Sequence, residues 1–191
     1  MTEKMTSKQR TTIHFTGFGG QGIILSSVIF GTTAVLKGGY NAVQTSSYGS
    51  EARGGQCQAE LILSKEEILS PSSENIDILI SMSQQALNTY IGRLSPGKVL
   101  IIDPGLVTVP NRDDITIYEL PATAIATELG LRIAANMVVM GFLQQGSGLI
   151  TSEDLFDVIS EHVPSKFLST NLLAARRGIE LAIDMNAKLG R

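Results

Sequence analysis

The stretch TTIHFTGFGGQGIILSSVIFG, residues 11 to 31, decides the fold. It opens as an extended apolar run, closes with helical spacing, and sets Gly17, Gly19 and Gly22 between the two at the spacing G-x-G-x-x-G. Gly17 and Gly19 are free to take positive φ and to let a ligand or another chain approach the backbone, while Gly22 lets the helix start close against the strand. Backbone amides at such a helix start attract anions. A dinucleotide fold next requires a carboxylate about 20 residues on, at the end of the second strand, to hold the ribose hydroxyls. That place is taken by YNAVQTSSYG, which has no acid, and the first acid beyond it is Glu51. A free-standing NAD dehydrogenase is therefore disfavoured.

Around this core the strand and helix patterns alternate. A helix from about Gln21 to Lys37 stops at Gly38 and Gly39, and YNAVQT supplies a second strand. QCQAELILS, residues 56 to 64, alternates inward and outward side chains; IDILISM, residues 76 to 82, and KVLIID, residues 98 to 103, are buried-strand runs. A helix from Gln84 to Leu94 lies between the last two and ends at the Ser95, Pro96, Gly97 turn. DITIYEL, residues 114 to 120, is a further strand, and Pro121 opens a short helix ending at Gly130. The remainder is helical: an apolar stripe over 132 to 145, a Thr151 and Asp154 capping box, and an amphipathic helix from Ser165 to Leu189. The expected fold class is α/β, a three-layer α/β/α Rossmann-like domain with a mostly parallel sheet and a helical C-terminal portion. A flexible N-terminus, residues 1–10, precedes one domain over 11–191, with room for a small helical appendage.

Composition narrows the function classes. The chain has 191 residues, 43% of them hydrophobic and 17% charged, so it can bury a core; its net charge of −3 forms no basic stripe, and it has no Trp. Nucleic-acid binding is not expected. No apolar run reaches the ~18 residues that a spanning helix needs, and MTEKMTSKQR lacks the apolar core of a signal peptide, so a cytoplasmic protein is expected. The one cysteine, Cys57, cannot hold a four-cysteine cluster or a cysteine-built zinc site, and His14 and His162 carry no metal-binding spacing. His14, inside the first strand, reads as a packed or edge histidine. Asp103, at a strand end, faces a crevice or caps a turn. Met137, Val138, Val139, Met140 and Phe142 read as core.

The second informative stretch is SSYGSEARGGQCQAEL, residues 46 to 61. Tyr48, Glu51 and Arg53 stand among Gly49, Gly54 and Gly55 in a loop before a strand, where a plain linker needs only one turn signal. Taken with GFGGQG at 17 to 22, YGSEARGG at 48 to 55, IDILIS at 76 to 81 and VLIIDPGLV at 99 to 107, the chain resembles the γ subunit, or γ domain, of the 2-oxoacid:ferredoxin oxidoreductases. The similarity runs over nearly the whole chain and is most like the 2-oxoglutarate type, with pyruvate, branched-chain oxoacids and indolepyruvate as the other family substrates.

The resemblance implies a multisubunit enzyme that oxidatively decarboxylates a 2-oxoacid, passes electrons to ferredoxin and delivers the acyl group to coenzyme A. It implies thiamine diphosphate, magnesium and [4Fe-4S] clusters on partner chains, none bound by this chain alone, and α, β and, where present, δ ferredoxin-like subunits as partners. No residue here is expected to be catalytic, because no nucleophile and base pair has a recognisable spacing. Gly17, Gly19, Gly20, Gln21, Gly22, Tyr48, Gly49, Glu51, Arg53, Gly54 and Gly55 are expected at a subunit boundary or at a shared coenzyme A site. Gln21 brings an amide side chain; Arg53 brings a forked contact to a carboxylate or phosphate, and Glu51 orients it or simply pairs with it. Interface architecture and direct ligand contact both stay open. Two other classes stand beside this reading, a stand-alone nucleotide-binding protein and a purely structural scaffold subunit. Surfaces left bare by missing partners also give the isolated chain a route to homo-dimers.

Overall fold

The computed structural model describes residues 10–48 and 55–185. The expected flexible tail lies outside them except for Arg10, which begins the first strand. Six strands, β1 (Arg10–Phe18), β2 (Asn41–Tyr48), β3 (Gln56–Ser64), β4 (Ile76–Ser81), β5 (Leu94–Ile102) and β6 (Thr116–Glu119), form one sheet in the order β2-β3-β1-β4-β5-β6. β3 runs against both its neighbours and the other five share one direction, so the sheet is mostly parallel, as expected.

The two faces of the sheet carry different cores. Ile13, Phe15, Leu61, Leu63, Ile78, Ile80, Val99 and Ile101 point to one side and are buried there against five helices: α1 (Ile23–Leu36), α3 (Ala122–Glu128), α4 (Ala135–Ser147), α5 (Ser152–His162) and α6 (Ser165–Asp184). Leu79, Leu100 and Ile102 point to the other side, where the cover is the short α2 (Gln84–Tyr90) with one 3-10 turn at Ile91–Arg93. There are three layers, and the third is thin. This asymmetry follows from the connections: β1 to β2 and everything after β6 cross on the first face, whereas the second is covered by the link from β4 to β5 and by the helix-free link from β5 to β6, which buries Val107 there.

The C-terminal helices are not an appendage. α4 is buried almost all round, including Met137, Val138, Val139, Met140 and Phe142 as expected, and it crosses α6 at backbone distance. A Cβ built on Gly141 would lie 1.9 Å from the Ala175 carbonyl oxygen, and one on Gly178 would lie 1.9 Å from that of Val138. Only hydrogen at both positions permits that crossing.

Three boundaries differ from the sequence reading. Helix α2 ends at Tyr90 rather than Leu94, and Ser95, Pro96 and Gly97 do not stop the chain but lie inside β5. Leu94 already pairs with Ile76, the register then shifts before Ile78 meets Val99, and the Gly97 amide donates to the Asp114 carbonyl at 2.7 Å. A proline is tolerated in a strand at such an irregularity. β6 is shorter at both ends than DITIYEL. Of the expected capping box the N-cap half forms, with Thr151 Oγ1 accepting from the Asp154 amide at 3.2 Å, while the Asp154 carboxylate takes the Thr151 hydroxyl at 2.6 Å; α6 is followed to Asp184 with Met185 as its cap, residues 186–189 lying outside the described range.

Candidate functional site: a cleft at the glycine-rich turn

The turn between β1 and α1 has its conformation forced by glycine. Gly20 has φ 91° and Gly22 φ 72°, values that side-chain-bearing residues rarely adopt. Gly17 and Gly22 are also packed tightly: a Cβ on Gly17 would meet Gln21 Oε1 at 2.4 Å, and one on Gly22 would meet Asn136 Nδ2 at 2.4 Å. Gly19 and Gly20 face the other way, into space, with no atom closer than 3.9 Å to a Cβ placed on either. The motif thus divides its work. Two glycines let the helix and strand close up, and two leave backbone open.

Gln21 lines the cleft on the open side of the turn, and both ends of its amide are also bonded within the chain. Its Oε1 accepts from the Phe18 amide at 2.7 Å and its Nε2 donates to the Met82 carbonyl at 2.9 Å, so its amide clasps the ends of β1 and β4 together. Beside that engaged amide the turn presents main chain at Gly19 and Gly20.

The open side of the turn is one wall of a cleft of about 430 Å³ at the carboxyl ends of β1, β4 and β5. Open α/β sheets bind their ligands at this end. Met82 and Ala135 lie at its inner end, Leu106 and Thr123 form the wall beyond β5, and Arg132 and Ile133 stand at the rim, both exposed. Arg132 has no ion-pair or hydrogen-bond partner among the described residues. α1 has no acid in its first turn, so nothing there opposes an anion. The open main chain at Gly20, the start of the 14-residue α1 and an unspent guanidinium make the cleft suited to an anionic group. The sequence reading missed Arg132, because it stands at the head of the apolar stripe over 132 to 145, where a single arginine carries no pattern.

Asp103, the other candidate at a strand end, is 2% exposed and caps turns: Oδ1 accepts from the Gly105 amide at 2.9 Å and Oδ2 from Thr123 at 2.7 Å. It shapes the Leu106–Thr123 wall and offers no free oxygen to a ligand. His14 is fully buried on β1, with Nε2 2.7 Å from Gln58 Oε1 and its ring edge-on to Tyr90. Burial lowers its pKa to about 4. The packed reading of His14 holds. Burial pushes the Cys57 thiol up, so it is a small apolar residue of β3.

Of the expected loop residues, Gly49, Glu51, Arg53 and Gly54 lie outside the described range; Tyr48 ends β2, 72% exposed, and Gly55 leads into β3. The Gly19 amide donates to the Gly55 carbonyl at 3.1 Å, which brings the two sequence motifs together at their described ends. Among the described residues there is no group of three or more His, Cys, Asp or Glu that could hold a metal ion. No described helix is long and apolar enough to cross a membrane.

Comparison with known proteins agrees with this arrangement. The family described as pyruvate ferredoxin/flavodoxin oxidoreductase matches residues 12–181. A 2-oxoglutarate synthase subunit KorC of Methanothermobacter marburgensis is 41% identical over 182 residues, covering 92% of this chain and 98% of that one. Another, from Methanocaldococcus jannaschii, is 40% identical over 185 residues, covering 95% and 99%. Among solved structures, the γ subunit of a keto/oxoacid ferredoxin oxidoreductase from Geobacter sulfurreducens superposes with a TM-score of 0.80 at 32% identity, over 91% of this chain and 99% of that one. A 2-oxoglutarate:ferredoxin oxidoreductase from Magnetococcus marinus, with 2-oxoglutarate, coenzyme A and succinyl-CoA bound, shares the fold at a TM-score of 0.86 and 24% identity, this chain covering 33% of it. The chain belongs to the pyruvate ferredoxin/flavodoxin oxidoreductase family, as a γ-type subunit of a 2-oxoacid:ferredoxin oxidoreductase.

Proposed function

We propose that the 2-oxoacid is 2-oxoglutarate and that this chain supplies one wall of the coenzyme A site rather than any reacting group. The substrate rests on the KorC subunits, which match from end to end at about the same length. The ligand role rests on one observation: the outward face of the glycine-rich turn opens on a cleft whose rim carries an unspent arginine. In this reading the Gly20 amide, beside the Gly19 amide that the Gly55 carbonyl holds, faces a coenzyme A phosphate, the start of α1 adds its dipole, and Arg132 supplies the countercharge. Gly17, Gln21 and Gly22 hold the turn in shape. Tyr48 and Gly55 stand at the same end of the sheet, where α and β subunits pack. Thiamine diphosphate, magnesium and the [4Fe-4S] clusters sit on those chains or on a δ chain, in the cytoplasm, and the isolated γ chain associates with its own copy.

The test is anaerobic purification by an affinity tag on this chain, identification of the accompanying subunits, and a panel of 2-oxoacids with and without coenzyme A. Coenzyme A-dependent oxidation of 2-oxoglutarate in preference to pyruvate and branched-chain oxoacids is the expected result. Preference for another oxoacid overturns the substrate, and isolation of an inert single chain overturns the assignment to a complex.

A further inference from the structure

The sheet has two edges, and they are built differently. β6 is four residues long, contains Glu119 and follows Arg112, Asp113 and Asp114; it is short and charged, in the manner of edges that avoid pairing. β2 is eight residues, NAVQTSSY, with no acid, base or proline, and its register with β3 runs without a bulge from Asn41 opposite Ser64 to Tyr48 opposite Cys57. Its other side pairs with no described strand. None of the devices that keep an edge single is present on it.

A second feature opens along the same edge. Val28, Thr32 and Val35 of α1 face Ala42 and Gln44 of β2 across a shallow, mainly apolar groove of about 350 Å³. Val35 is 42% and Leu36 66% exposed. A strand added beside β2 brings its own helical layer over this groove, so one partner satisfies both features.

We propose that β2 pairs antiparallel with β2 of a second copy, joining two sheets into one across a two-fold axis, with the two α1 flanks side by side over the grooves. A neutral strand opposes its own copy with no like charges in register, and it offers no charge by which a different, charged strand would be selected. The pleat limits the register. Both helical layers must lie on the same side, so residues of equal parity face each other and one residue faces its own copy; full overlap makes that residue Gln44 or Thr45. The inference rests on the self-association proposed above and not on the coenzyme A reading, since its seam centres on Gln44 and Thr45 and leaves only Tyr48, at the end of β2, beside the boundary given to the partner subunits.

The test uses the full chain, alone and in its assembled complex, with Gln44→Cys, Thr45→Cys and Ser47→Cys. Mild oxidation is expected to give a reducible product of twice the chain mass from Gln44→Cys or Thr45→Cys, and none from Ser47→Cys or from the parent chain with its buried Cys57. Light scattering is expected to show a dimer for the parent chain and a monomer for Thr45→Pro with an unchanged circular dichroism spectrum. Absence of product at both positions, equal product at Ser47, or a monomeric parent chain at micromolar concentration overturns the proposal. So does photo-crosslinking of a benzophenone maleimide on Gln44→Cys to a different subunit, which assigns the edge to that subunit instead.

Discussion

The Gly19 amide donates to the Gly55 carbonyl at 3.1 Å, and through that bond the turn after β1 and the residue that opens β3 share one end of the sheet. Neither glycine is near the other in sequence. β3 runs antiparallel beside β1, so its start at Gln56 lies opposite the end of β1 at Phe18, and Gly55 comes to the same end of the sheet as the start of α1. The described ends of the two motifs meet in this contact.

Arg132 is the exposed cation of the cleft, and its replacement separates binding from chemistry. Arg132→Ala is expected to raise the KM for coenzyme A about 10-fold in the assembled enzyme, since a charge-assisted contact contributes about 1.5–3 kcal/mol, reduced here by exposure at the rim. The kcat and the KM for the oxoacid should stay within about twofold. Arg132→Lys should recover part of the loss. Steady-state kinetics with coenzyme A varied at saturating oxoacid make the comparison, and an unchanged coenzyme A KM removes Arg132 from the site.

Gln21 belongs to the fold before it belongs to any ligand. Gln21→Leu leaves the Phe18 amide and the Met82 carbonyl without their partners and is expected to destabilise the chain by about 2 kcal/mol, read from the denaturant midpoint at constant m-value. A variant that keeps its stability but loses coenzyme A affinity would return Gln21 to the ligand side.

Much of this architecture is legible in the sequence because burial imposes periods. QCQAELILS becomes β3 with the bounds its alternation marks, and IDILISM becomes β4 one residue shorter, since the run of apolar side chains that the sheet buries fixes both. The GFGGQG turn is legible because its glycines answer to backbone geometry rather than to side-chain partners. Single residues whose meaning depends on a distant neighbour are not legible. Gln21 reads as an outward amide until the Met82 carbonyl is placed beside it, and Arg132 joins the cleft only when the connection from α3 to α4 folds back over β1. Ser95, Pro96 and Gly97 read as a stop, yet the pairing of Leu94 with Ile76 and of Gly97 with Asp114 draws them into β5.

The crossing of α4 and α6 makes Gly178, with Gly141, one of the two tightest glycine positions described on the helical side. Gly178→Ala puts a methyl group where the Val138 carbonyl oxygen and the Phe142 amide already lie, and both are backbone, so relief requires the helices to separate. In an isolated helix the same change is favourable by about 1 kcal/mol. Here it is expected to cost about 3 kcal/mol net, the upper range for overpacking a close-packed core, and to lower the melting temperature by roughly 6–12 °C. Calorimetry of Gly178→Ala beside an exposed control such as Gly92→Ala decides it; equal effects would mean that α6 moves freely over α4.

His14 gives the chain a definite acid sensitivity. Its Nε2–H donates to Gln58 Oε1, its Nδ1 has no partner, and the whole ring is buried, so the neutral tautomer is the one the fold accepts. Desolvation, the largest cause, holds the folded pKa at about 4 against an ordinary value of 6.5. The unfolded chain therefore binds the proton first as pH falls. Stability from this residue is complete above pH 6.5 and is lost progressively down to about pH 4, on the order of 3 kcal/mol in all at 1.36 kcal/mol per pH unit. Most carboxylates titrate below pH 5, so the interval from pH 6.5 to 5 isolates the histidine. Unfolding free energies measured across that interval should fall with a slope near one proton for the parent chain and flatten for His14→Asn, which keeps a donor for Gln58 but cannot take up the extra proton. A parent chain whose stability is level from pH 6.5 to 5 would mean that the ring is reached by water and titrates normally.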